Sequence, residues 1–98
     1  MRYALIGCGR IATNHMKAAL NNQLEIVAVC DILPSKMEEL LSKHDLEKDA
    51  AIKRYTDYKE MIQELDPELI SIATESGIHA EIALHCIDHG VNVIIEKP

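Results

Sequence analysis

Three short stretches hold residues whose types and spacing suit chemistry. The first is GCGRIA at residues 7–12, a glycine-x-glycine-x-x-small pattern. In such a loop Gly7 permits a tight turn, Gly9 leaves no Cβ between the backbone and a pyrophosphate, and Ala12 lets the next helix pack close to the preceding strand. A helix starting near Arg10 or Ile11 directs its free N–H groups at that phosphate. The second is Asp31, at the spacing of about 20 residues where a carboxylate accepts both hydroxyl hydrogens of an adenosine ribose. Its charge repels a 2′-phosphate, so the residue favours NAD over NADP. Ser35 and Lys36 nearby weaken that exclusion, and a tight glycine turn without any ligand is the lesser alternative for the loop. The third stretch is EKP at 96–98, where Lys97 follows an apolar run and is either a frayed tail or a reactive group.

The elements that position these residues follow from an alternation of two periods. Apolar runs at 3–6, 25–30, 69–73 and 91–95 read as buried parallel strands, and residues 52–54 as a short weaker one. Between them the period turns helical. Met37, Leu40, Leu41 and His44 fall at i, i+3, i+4 and i+7, as do Tyr58, Met61, Ile62 and Leu65, and then Ala80, Ala83, Leu84 and Ile87. Pro34 suits a first helical turn, Asp57 and Glu60 are spaced as a capping box, Asp66-Pro67 marks a break, and Gly90 stands where a glycine ends a helix. The order β-α-β-α-β-α-β-α-β predicts an α/β fold, a Rossmann-type doubly wound parallel sheet with helices on both faces. In such a sheet ligands bind beyond the carboxyl ends of the strands, where the glycine loop, Asp31 and Lys97 all fall.

Composition narrows the classes. The sequence has 98 residues, 48% hydrophobic and 27% charged, enough for one domain spanning 1–98. Sixteen acidic against ten basic residues give a formal net charge of −6, which argues against nucleic acid or an anionic membrane as the partner. No apolar run approaches the ~20 residues of a membrane span, and the start lacks a signal peptide's apolar region. Cys8, Cys30 and Cys86 are an odd number at wide spacing, fitting reduced thiols and a cytoplasmic location.

With these pieces in view the sequence resembles the N-terminal domain of the Gfo/Idh/MocA family, the glucose-fructose oxidoreductases and inositol dehydrogenases. The likeness runs from Tyr3 to Pro98. It rests on GCGRIA, on VCD ending at Asp31, on YTDYKEMI at 55–62, on IATESGIHAEIALHCIDHG at 72–90, and on EKP. Members commonly read T-P-x-x-x-H after the fourth strand; Thr74 and His79 stand in place, while Glu75 replaces the proline. The resemblance implies that Thr74, Ser76 and His79 lie near the cofactor, that Glu96 contacts the nicotinamide ribose, and that Lys97 faces the reacting carbon as the base in alcohol dehydrogenation. From the residues alone, Ser76 is equally a helix cap and His79 a surface residue. The resemblance also implies a C-terminal α+β domain, lacking here, that completes a site for a small sugar or polyol. The chain by itself is therefore expected to bind cofactor without turnover, and its last strand to self-associate through an uncovered edge.

Other constellations weigh less. His85 and His89 have the i, i+4 spacing of the H-E-x-x-H zinc motif, but Cys86 occupies the second position and the general-base glutamate is missing; positive charge also suits the last turns of a helix, so no metal is expected. Cys8 and Cys30 read as small buried thiols. A non-catalytic dinucleotide-binding regulatory module is the alternative function. A methyltransferase is disfavoured because Ile6, not an acid, precedes the glycines.

Overall fold

Strands and helices alternate along the described residues: β1 (Arg2–Ile6), α1 (Ala12–Asn21), β2 (Glu25–Cys30), α2 (Pro34–Lys43), β3 (Lys53–Tyr55), α3 (Tyr58–Leu65), β4 (Leu69–Ile72), α4 (Ser76–Asp88) and β5 (Asn92–Ile95). The structure, a computed structural model, describes residues 1–74 and 76–95, with 76 and 77 by backbone only. All strand pairs are parallel, in the order β3-β2-β1-β4-β5. The chain moves outward from β1 to β3, then returns to the other side of β1 with β4, so the strand order reverses between β1 and β4. That reversal opens a crevice at the strands' carboxyl ends.

Side-chain alternation along β1 supplies both halves of the core. Ala4 and Ile6 join Ala28, Cys30, Ile70 and Ile72 beneath Met61 and Ile62 of α3 and Ile82, Ala83 and Cys86 of α4. Tyr3 and Leu5 join Val29 beneath Ala12, Met16 and Ala19 of α1 and Met37, Leu40 and Leu41 of α2. Burying each large aliphatic side chain contributes about 1.5–3 kcal/mol. The boundaries have local causes. Pro34 opens α2 after an extended Leu33, and Asp57 caps α3 by accepting from Lys59 N at 2.9 Å. At the end of α3, Asp66 turns left-handed at φ 46° before Pro67. Gly90 does the same after α4 at φ 74°, letting Val91 N reach back to the Cys86 carbonyl at 3.0 Å.

Several expectations need correction. β3 is Lys53–Tyr55 rather than 52–54, β4 stops at Ile72, β5 starts at Asn92, and α1 begins at Ala12 rather than at Arg10 or Ile11. Asp57 bonds the second helical N–H, not the third, so the capping box is a single bond. β5 is not a buried strand. It is the sheet edge, and Ile94 and Ile95 remain 46% and 42% exposed. The buried face of α4 also differs: Ile82, Ala83 and Cys86 face the sheet, while Ala80, Leu84 and Ile87 face outward. The buried set keeps helical spacing, with His79 completing its i, i+3, i+4, i+7 stripe half-buried.

This orientation of α4 predicts opposite outcomes for two neighbours. Ile82→Ala should lower unfolding stability by about 2–5 kcal/mol. Leu84→Lys should change it by no more than about 0.5 kcal/mol. Urea denaturation measures both, and a larger loss at Leu84 would reverse the assigned face.

Candidate functional site

The glycine loop is fixed where it must be tight and open where a ligand must approach. Gly7 has φ 92°, a left-handed conformation that favours glycine, and its N–H bonds the Cys30 carbonyl at 2.8 Å. A Cβ on Gly7 would lie 2.7 Å from the carbonyl carbon of Ala73 and 2.8 Å from Cγ2 of Thr74. A Cβ on Gly9 would meet nothing within 4 Å, because Gly9 borders an open cleft. The first turn of α1 begins with Ala12 N bonded to the Gly9 carbonyl at 3.1 Å and has no side-chain cap. Among the described residues, the N–H groups of Gly9, Arg10 and Ile11 have no acceptor. Donors left free at a helix start are the usual cradle for a phosphate.

Asp31 anchors this loop from the neighbouring strand. Its Oδ2 accepts from Cys8 N and its Oδ1 from Leu33 N, both at 2.8 Å. A carboxylate offers about four lone-pair positions. Each oxygen therefore keeps one for a further donor, such as a ribose hydroxyl. The two backbone bonds hold the side chain at the cleft wall, half-buried, with Lys36 lining the same cleft.

The cleft has a volume of about 480 Å³ and collects residues distant in sequence. Gly7, Gly9, Asp31 and Thr74 line it. Arg10 is exposed at the start of α1, and Ile11 is 46% exposed; neither belongs to the lining. His79 is half-buried and its Nε2 donates to the Thr74 carbonyl, steadying the turn after β4. The Thr74 hydroxyl is buried with no partner among the described residues, a polar group available to a ligand. The side chain of Ser76, and Glu75, Glu96 and Lys97 altogether, lie outside the described residues.

Sequence reasoning missed the apolar rim and the far wall. Ile32, Leu33 and Ile78 line the cleft while 80%, 52% and 47% exposed, surfaces suited to sandwiching a flat ring. Ile32 and Leu33 directly after Asp31 were the available signal, since a strand-end loop gives such side chains no core to join. Thr56, Tyr58 and Glu81 close the opposite side. Burial, then the nearby Glu81 carboxylate, raises the Tyr58 hydroxyl, which remains a neutral donor near pH 7. Burial, then the Asp31 charge, also keeps the adjacent thiols protonated: Cys8 is raised strongly and Cys30 is pushed up to about 12. Both are free, buried and chemically quiet.

Comparison with known proteins agrees with this geometry. Residues 1–98 match the family model GFO_IDH_MocA, described as an oxidoreductase family with an NAD-binding Rossmann fold. Inositol 2-dehydrogenase from Salmonella typhimurium strain LT2 is 30% identical over the whole chain, which spans 29% of that protein's length. An oxidoreductase from Agrobacterium radiobacter, solved with NAD+, L-tartaric acid and magnesium, superposes with a TM-score of 0.85 at 28% identity, covering 100% of this chain and 28% of its own. The WlbA dehydrogenase from Bordetella pertussis, solved with NADH and UDP-GlcNAcA, gives 0.84 at 27% identity over 99% of this chain and 28% of its own.

The two glycines predict separable phenotypes. Gly7→Ala should lower the melting temperature, since a clash with backbone adds to a strained φ. Gly9→Ala should leave the melting temperature unchanged but weaken dinucleotide binding by about ten-fold or more, because its new methyl enters the ligand's space. Thermal melts with and without NAD separate the two, and normal NAD binding by Gly9→Ala would contradict the assignment of the cleft.

Proposed function

Because the chain belongs to the Gfo/Idh/MocA oxidoreductase family as its NAD-binding Rossmann domain, we propose that it holds the cofactor for hydride transfer between nicotinamide and a hydroxyl of a sugar, cyclitol or nucleotide sugar. The substrate class is supported by relatives named for inositol and solved with UDP-GlcNAcA. The chain spans 27–29% of the length of such relatives, so the activity belongs to the longer protein. The location proposed is the cytoplasm, supported by three free, buried cysteines.

NAD, when bound, supplies the hydride acceptor. The chain's own residues bind and orient. The N–H groups of Gly9, Arg10 and Ile11 take the pyrophosphate, and Asp31 takes the adenosine ribose through its remaining lone pairs. Thr74 and His79 meet at the turn beside the cofactor, and Ser76 as a neighbour of the cofactor rests on the family resemblance. Glu96 as a contact of the nicotinamide ribose and Lys97 as the base that takes the hydroxyl proton rest on the family resemblance alone.

The single observation that carries the reading is the doubly bonded Asp31 carboxylate at the cleft wall. It also carries the preference for NAD. A 2′-phosphate beside that fixed charge costs on the order of 1–3 kcal/mol, so calorimetry should give NADP an affinity about ten- to a hundred-fold lower than NAD. Asp31→Ser should narrow the gap, helped by Lys36. Equal or tighter NADP binding by the unaltered chain would defeat the proposal.

The 98 residues alone should bind NAD and form no NADH from sugars, inositols or nucleotide sugars. Orientation of the substrate supplies ~7 kcal/mol or more of such a reaction's acceleration, and one cofactor domain gives the substrate no second wall. A second copy of the chain is also proposed as a partner along the exposed edge of β5. Absorbance assays and sedimentation on one sample address both. Sugar-dependent NADH formation would make this domain a complete enzyme, and a clean monomer at high concentration would remove the edge pairing.

A further inference from the structure

The last turns of α4 carry an aromatic cluster just outside the dinucleotide cleft. His85 and His89 lie one helical turn apart with ring centroids 4.3 Å apart and planes inclined by 34°. Tyr58 meets His85 edge-on at 5.4 Å. The Nδ1 atom of His89 lies 2.9 Å from the His85 carbonyl oxygen. A carbonyl only accepts, so Nδ1 carries the proton and Nε2 keeps its lone pair. A metal-ligating histidine is typically held this way, with its other ring N–H donated to a backbone carbonyl or carboxylate.

We infer that His85 and His89 form a two-imidazole binding site for a divalent transition ion of the zinc, nickel and copper class, with water completing the coordination. Imidazole suits these ions, whereas magnesium and calcium take oxygen ligands. The absent glutamate of H-E-x-x-H excludes a peptidase-like zinc centre, but it does not affect a pair of neighbouring imidazoles. Among the described residues no group of three metal-binding side chains gathers, so the site holds its ion from two points and exchanges it readily.

The test uses the chain freed of metal by a chelator. Calorimetric titration with nickel or zinc chloride should show one saturable ion per chain, and magnesium chloride should give no heat. His85→Gln and His89→Gln should each weaken binding by about ten-fold or more, since one imidazole holds such ions far less well. His89 is exposed and His85 only half-buried, so both variants should fold, which circular dichroism checks. In proton NMR, paramagnetic nickel should broaden the ring signals of His85 and His89 first. Absence of saturable binding, unchanged affinity in the double variant, or broadening centred on other histidines would overturn the site.

Discussion

The carboxylate of Asp31 is the contact on which the cleft depends. Glycine loops are permissive, and a loop that must expose its N–H groups cannot also bury them in a ladder. Asp31 resolves this by holding Cys8 N with one oxygen and Leu33 N with the other. Hydrogen bonds to a charged group contribute about 1.5–3 kcal/mol each, so the end of β2 fixes both the loop after β1 and its own exit toward α2. Two further bonds brace the arrangement, from Gly7 N to Cys30 and from Ala73 N to Ile6. The loop's shape is thus set by protein contacts on one side, leaving the N–H groups of Gly9, Arg10 and Ile11 to the other.

Those contacts exist only because the sheet reverses between β1 and β4. On one side of β1 the neighbour is β2, bringing Asp31; on the other it is β4, bringing Ala73 and Thr74 against Gly7. One residue type thereby serves two purposes. Gly7 is small because backbone crowds it, and Gly9 is small because the space above it is empty. A sequence motif records both as glycine, and only the fold separates a packing requirement from a binding one.

What was legible in the sequence follows the same division. Runs such as EIVAVC and the spacing from Gly9 to Asp31 depend on near neighbours in one strand or one turn, so β2, α2 and the Gly–Asp half of the site could be read directly. The segment IHAEIALHCIDHG could not, because apolar residues occur on nearly every side of α4 and periodicity alone does not choose among them. Packing on β4 and β5 selected Ile82, Ala83 and Cys86 and left Leu84 and Ile87 outside. Composition misled similarly over the burial of β5, where an apolar run does not reveal that Ile94 and Ile95 stay largely exposed at the expected edge. The far wall of the cleft, with Tyr58 from α3 and Glu81 from α4, is assembled from elements remote in the chain and has no local signature.

The central claim is that the open backbone between Gly9 and Ile11 and the Asp31 clamp together receive the dinucleotide. Amide shift mapping by NMR during an NAD titration tests it most directly. The account predicts the largest changes at the N–H groups of Gly9, Arg10 and Ile11, followed by Cys8 and Leu33, whose bonds to Asp31 tighten or tilt as ribose hydroxyls arrive. Changes centred instead on the smaller hollow bordered by Leu20, Leu24 and Ile52, at the opposite end of the strands, with the glycine loop unmoved, would contradict it.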